Sequence, residues 1–152
     1  MLSTGFSFVN AKGADLEGAG LGTADVSKTD FTNANPSNTQ LSFAGMTIVE
    51  APGANLSGAV LAYGNISGAK LKGANLSKVG LSSSDAIGVD LTGANITGIN
   101  LSDADLTGSK LDGADLTDAD YCNTIIPDGT VKNPTDGLCP GQPGASPSPT
   151  SD

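Results

Sequence analysis

From Ala69 to Ala119 the chain keeps a five-residue beat. Its centres are Leu71, Leu76, Leu81, Ala86, Leu91 and Ile96, continuing through Leu101, Leu106 and Leu111 to Leu116. Two residues before a centre stands a small residue, as at Ala74, Ala94, Ala104 and Ala114, and between them usually Asn or Asp. A period of five matches neither the 3.6 of an α-helix nor the 2 of a flat strand. Gly58, Gly68, Gly73, Gly93, Gly98, Gly108 and Gly113 recur at one place in the unit. Each would cost a helix interior about 1 kcal/mol, so they read as turn residues that supply a backbone conformation other residues resist. A short extended piece and a turn, repeated, make a coil that buries its apolar side only by stacking on a neighbour.

The units Gly53-Ala54-Asn55-Leu56-Ser57-Gly58 and Gly113-Ala114-Asp115-Leu116-Thr117-Asp118 resemble the pentapeptide-repeat family, whose pattern is A(D/N)LXX. The resemblance spans about residues 4–125, since Phe6, Leu16, Leu21, Val26, Phe31, Leu41, Met46, Leu56, Leu61 and Ile66 keep the same phase. It implies an all-β fold, a right-handed quadrilateral β-helix (solenoid) of about six coils with four pentapeptides per coil. The centre and the small residue before it point inward and the other three positions outward.

On that arrangement centres twenty apart stack at a strand spacing of about 4.8 Å, and six coils make a rod about 29 Å long. One structural core column is Leu21, Leu41, Leu61, Leu81 and Leu101, ended by Tyr121; a second is Val26, Met46, Ile66, Ala86 and Leu106. Outside, Asn35, Asn55, Asn75 and Asn95 line up between Asp15 and Asp115, an amide stack able to bond to itself. The column Asp30, Glu50, Lys70, Asp90, Lys110 sets Asp90 between two lysines. Folding explains both columns without a ligand.

The least regular stretch is 33–53, where Pro36 and Ala51 occupy centres and Pro52 follows. Proline removes a ladder donor, so the stack should be imperfect at Pro36. Phe43, Ile48 and Tyr63 fall at outward positions, with Phe43 and Tyr63 twenty apart on one face. They read either as a packing patch over the irregular coil or as a protein contact, the usual meaning of exposed apolar clusters. Phe8, also outward, reads as a cover folded over the open end or as a partner site.

The 152 residues carry a net charge of −9, with seven lysines, no arginine and no histidine. That balance disfavours direct nucleic-acid binding and anionic membranes, which need basic surface. Residues 1–13 show no signal peptide or transmembrane span. With no histidine to activate the many Ser and Thr hydroxyls, and with carboxylates on convex faces, the chain reads as no enzyme. Asp103-Ala-Asp105 and Asp118-Ala-Asp120 lack calcium-loop spacing, and no metal or cofactor is expected. The Asn-X-Ser/Thr matches, such as Asn55-Leu56-Ser57, follow from the repeat itself.

After Tyr121 the beat fades, although Ile126 and Val131 remain in phase, so a partial coil is expected to close the end around a Pro127-Asp128-Gly129 turn. Cys122 and Cys139 flank this cap. A disulfide between them would add about 3 kcal/mol and imply an oxidising compartment such as periplasm, thylakoid lumen or extracellular space. Two free thiols in a cytosolic chain are the alternative. The organisation expected is a β-helix over 1–125, a cap over 126–140 and a disordered Pro/Ser-rich tail over 141–152.

The functional expectation is a non-enzymatic structural or protein-binding module, a monomer with Phe43, Ile48 and Tyr63 as candidate contact. The alternative comes from the resemblance: some members mimic B-DNA and inhibit type II topoisomerases such as DNA gyrase, which the acidic C-terminal half would suit. A third reading, ice or crystal-surface binding by hydroxyl columns such as Ser57, Ser77, Thr97 and Thr117, is weakened by their mixture of Ser and Thr.

Overall fold

The computed structural model describes residues 5–134 and residue 139. Its backbone bonding repeats with the sequence. From Phe6 to Leu106 the amide of every centre but Pro36 donates to the following coil, as Leu81 N–H does to Asn100 O at 2.8 Å, and the amide before a centre donates to the preceding coil, as Gly80 N–H does to Ala59 O at 3.0 Å. Parallel bridges accordingly join residues twenty apart, from Gly5 with Asp25 to Asp105 with Ile125. Four five-residue units thus make one turn of a four-sided β-helix.

Each repeat position now has a physical reason. At the corners, the carbonyl of the centre accepts the amide three residues on, as Leu71 O does from Ala74 N–H at 3.0 Å. The residue two after the centre must then take a positive φ, which is 64° at Gly73 and 67° at Gly58. At Gly58 there is a second reason, because a Cβ would lie 2.5 Å from Asn38 Oδ1 in the preceding coil. One amide per unit, that of the residue after the centre, takes no part in the backbone ladder among the described residues. The Asn or Asp before the centre accepts it, as at Ser77 N–H to Asn75 Oδ1 (3.1 Å) and Thr107 N–H to Asp105 Oδ1 (2.9 Å). The Asn/Asp of the motif is therefore an Asx turn that satisfies the remaining donor.

Threonine after the centre adds a second bond to the same carboxylate, as Thr32 Oγ1 does to Asp30 at 2.6 Å and Thr117 Oγ1 to Asp115 at 2.7 Å. These bonds, from Thr32, Thr92 and Thr117, hold the Asp30, Asp90 and Asp115 carboxyls below their ordinary value of 3.8. A depressed carboxylate contributes stability that is complete above the unfolded value and lost as pH falls through the folded one. Asp30→Asn, Asp90→Asn and Asp115→Asn together should therefore flatten the fall in melting temperature between about pH 5 and about pH 2. A thermal melt series across that range, with wild type falling no more steeply than the variant, would contradict this.

The core is the expected pair of inward positions. Leu41, Leu61, Leu81 and Leu101 are buried in one column, and Val26, Met46, Ile66, Ala86 and Leu106 in another, while Leu21 and Tyr121 close the first column half-buried. The amide stack forms from Asp15 to Asn75: Asn35 Nδ2 donates to Asp15 Oδ1 (3.0 Å), Asn55 to Asn35 (2.9 Å) and Asn75 to Asn55 (3.1 Å), while Asn95 Oδ1 accepts from Thr97 of its own turn. At Pro36 the stack is imperfect as expected. Among the described residues Asn35 and Asn55 share no backbone bridge, and Thr39 Oγ1 bonds the Pro36 carbonyl. The lysine pairing differs from expectation, because Lys70 Nζ reaches Glu50 at 2.6 Å and Lys12 reaches Asp30 at 3.2 Å. Asp90 is instead held chiefly by Thr92, with Lys110 and Lys72 acting at longer range.

Hydroxyls occupy several inward positions where alanine is the rule, a role the sequence reading missed. Thr29, Ser84, Ser109 and Thr124 each donate to a corner carbonyl of the preceding coil, namely those of Phe6, Leu61, Ala86 and Leu101. Ser109 goes further. Its Oγ donates to Ala86 O (2.7 Å) and accepts Val89 N–H (3.0 Å), standing in for the corner bond between those two groups. Ser109→Ala strands a buried donor and should cost about 1–3 kcal/mol in a denaturant melt. An unchanged midpoint would mean that the Ala86–Val89 corner closes by itself.

The C-terminal end departs from the expected partial coil. Strand β1 (Thr124–Ile125) pairs antiparallel with β2 (Val131–Lys132), so the chain turns back at Val131 instead of continuing the helix, and Val131 is exposed. The Pro127-Asp128-Gly129 turn is present, with Gly129 at φ 84° and Asp128 Oδ1 accepting Thr130 N–H at 2.9 Å. The hairpin is tied down by Lys132 Nζ, 3.8 Å from the centre of the Tyr121 ring, and by Asn123 N–H donating to Asn133 Oδ1 at 2.8 Å. Cys122 and Cys139 form a disulfide with their Cα atoms 5.4 Å apart. At the other end Phe8 does not fold over the coil; it is 74% exposed, with Lys28 Nζ 4.8 Å from its ring centre. The expected tail, 141–152, lies outside the described residues.

Candidate functional site

Phe43, Ile48 and Tyr63 all stand two residues after a centre, at the corners that favour glycine. Their φ angles are 60°, 56° and 59°. A left-handed backbone costs a residue with a Cβ about 1–2 kcal/mol, and a β-branched residue such as Ile48 is the least suited to it. All three are nonetheless held firmly, since their amides donate to Ala62, Ser67 and Ser82 carbonyls of the next coil at 3.0 Å. Their side chains gain little burial in return, with 62% of Phe43, 51% of Ile48 and 59% of Tyr63 exposed.

The two rings stack along one corner of the rod, centroids 5.1 Å apart and planes 10° from parallel. Such a pair contributes about 0.5–1.5 kcal/mol beyond its area. Ile48 belongs to the next corner, in the column Phe8, Lys28, Ile48, Gly68, and its Cγ1 lies 3.7 Å from where a Gly68 Cβ would be. The three expected contacts are therefore a stacked aromatic ridge and a separate aliphatic corner, with the small residues Gly45, Thr47, Asn65 and Ser67 in the strip of sequence between the corners.

The surroundings carry a signal that was available in the sequence and missed. Between residues 31 and 69 there is a single charged residue, Glu50, and it is paired with Lys70. Ridge and aliphatic corner thus sit in a neutral belt, while Asp85, Asp90, Asp103, Asp105, Asp112, Asp115, Asp118 and Asp120 follow toward the C-terminus. Among the described residues no group of Cys, Asp or Glu could hold a metal ion, and no helix is long and apolar enough to cross a membrane.

The family model for pentapeptide repeats matches in eight copies over residues 50–77 and 81–120. The chain belongs to the pentapeptide-repeat family, and no catalytic family is indicated. Among solved structures it is similar to HetL, a pentapeptide repeat protein involved in heterocyst differentiation regulation from the cyanobacterium Nostoc sp. strain PCC 7120. The two share 27% identity over 87% of this chain, with a TM-score of 0.61. The chain spans only 63% of HetL's length. It is also similar to the pentapeptide repeat protein Rfr23 from the cyanobacterium Cyanothece 51142, at 25% identity over 78% of this chain and 88% of that one, with a TM-score of 0.63. QnrB1, a plasmid-mediated fluoroquinolone resistance protein, at 18% identity and a TM-score of 0.46 over 89% of this chain, is too remote to bear on function. No curated protein is significantly similar in sequence. The four-sided helix is the right-handed quadrilateral β-helix of these relatives.

Proposed function

We propose that this protein is a non-enzymatic protein-binding module, a monomeric rod that engages a protein partner through Phe43, Ile48 and Tyr63. The rod comprises about six coils over 1–125, a cap over 126–140 and a Pro/Ser-rich tail over 141–152. One observation carries the reading: three large apolar side chains project into solvent from backbone positions that penalise them, inside a belt without free charge. Polar residues such as Thr23, Lys28, Lys78 and Asp103 take the same left-handed corner, so what sets these three apart is the large apolar surface they expose, the usual mark of a contact. The Cys122–Cys139 bond suits a compartment that sustains disulfides.

The test is capture from source-organism lysate by wild type and by Phe43→Ser/Tyr63→Ser. A partner held by wild type and lost by the double variant supports the reading; identical capture by both contradicts it. Mimicry of DNA toward a type II topoisomerase is less well supported, because a duplex is charged along its whole length whereas residues 31–69 carry Glu50 alone. Absence of gyrase inhibition is the expected result of a supercoiling assay.

A further inference from the structure

Two rings of this protein, the exposed Phe8 and the half-buried Tyr121, already hold a cation supplied by the chain itself. Lys28 Nζ lies 4.8 Å from the Phe8 ring centre, one rung along the same corner, and Lys132 Nζ lies 3.8 Å from the Tyr121 ring centre. The Phe43–Tyr63 corner is built differently. Its column runs Thr23, Phe43, Tyr63, Ser83, Asp103, so the rung beyond each ring carries a short hydroxyl side chain, and the rung past Ser83 carries a carboxylate. At a rung spacing of about 4.8 Å, Tyr63 and Asp103 stand about 9.6 Å apart across Ser83, which leaves room for one ammonium or guanidinium group against the ring. Asp103 is exposed and accepts Asn123 Nδ2 at 3.3 Å, a neutral partner that leaves its charge in place. Asp85, two residues after Ser83, is bridged to Asp105 on the neighbouring face and adds negative potential beside the same rung.

We propose that the ridge, taken as the docking surface above, receives a polypeptide segment that is both apolar and basic. An aliphatic or aromatic side chain covers Phe43 and Ile48 in the neutral belt. A lysine or arginine lies over Ser83, its cation on the outer face of the Tyr63 ring and its charge toward Asp103. Charge complementarity selects this occupant. The chain carries −9 overall; past the neutral belt come Lys70, which is paired with Glu50, then Lys72 and Lys78, and from Asp85 onward every charged residue is acidic except Lys110 and Lys132. A second copy of the chain, equally acidic, fits less well.

The experiment presents the full-length chain to a displayed library of random peptides. Wild type should enrich peptides that combine Lys or Arg with large apolar residues. These peptides should bind Tyr63→Ser and Ser83→Lys about five- to tenfold more weakly, the loss expected for one cation–π contact. Ser83→Lys gives the Tyr63 ring a cation of its own. Lys28 and Lys78 already occupy the equivalent repeat position at φ 59° and 58°, so the variant keeps the fold. Basic peptides that bind Tyr63→Ser as tightly as wild type would reveal general attraction to an acidic rod and overturn the proposal. Enrichment of uncharged or acidic apolar peptides that still require Tyr63 would overturn the cation subsite while leaving the docking ridge standing. No enrichment on wild type overturns the proposal outright, and the lysate capture then decides the ridge on its own.

Discussion

Replacing Leu81 with aspartate abolishes the cooperative melt of the rod. Leu81 is 1% exposed and stands between Leu61 and Leu101 in a dry column of the core. A carboxylate there has no partner and no water, a cost of at least about 4 kcal/mol against the 5–15 kcal/mol that typically holds a domain together. The position makes the damage worse. In a stack whose units contact only their neighbours, a broken middle coil separates the coils before it from those after it. Leu81→Met, which keeps volume and polarity, should cost less than about 1.5 kcal/mol. A circular dichroism melt of Leu81→Asp that superimposes on wild type would show that this position does not face inward.

Removing the disulfide with Cys139→Ser should cost about 3 kcal/mol, the entropy that closing a loop of this size takes from the unfolded chain. The bond spans 17 residues of sequence and ties the last coil, at Cys122, to the segment after the hairpin. Cys139 is the position to change, because Cys122 is 6% exposed and serine there would also bury a hydroxyl. Among the described residues the C-terminal end is otherwise tied by two residues of antiparallel pairing, the Ile126–Thr130 backbone bond and the contacts of Lys132 and Asn133. Wild type melted in reductant should fall to the midpoint of the variant melted without it. A reductant that leaves wild type unchanged while Cys139→Ser melts lower would assign the loss to the side chain and not to the cross-link.

The fold was legible because its period is short and its phase unbroken. One beat from Phe6 to Leu116 places the core up to the last coil, where Cys122 is buried out of phase, and proline at position 36 announces the missing rung by its lack of an amide. Reversal of the chain at Val131 was not legible, because the residue keeps the phase of a centre although the chain no longer follows the helix. The inward hydroxyls of Ser84 and Ser109 look like imperfect alanines until the corner carbonyl of the preceding coil is placed beside them. Lys70 has an acidic neighbour on either side in its column, so the sequence leaves open its pairing with Glu50 while Thr92 bonds Asp90. For the candidate site the sequence showed which residues project and that two of them stack. Ile48 resembles the rings in being apolar and outward, but one pentapeptide moves a residue to the next corner. The backbone strain was half visible in the sequence: glycine marks a left-handed corner, so any other residue in its place has left-handed backbone to explain.

That strain supplies the most direct test of the central claim, that Phe43, Ile48 and Tyr63 are retained for binding and not for folding. Phe43→Gly/Ile48→Gly/Tyr63→Gly relieves three left-handed residues at about 0.5–1 kcal/mol each, net of glycine's greater freedom when unfolded. It forfeits one ring pair worth about 0.5–1.5 kcal/mol beyond its area, and the part of each side chain that is buried, half or less. The account predicts a melting temperature that stays close to that of wild type. A fall of several degrees would contradict it and make the three side chains a packing patch over the irregular coil at Pro36.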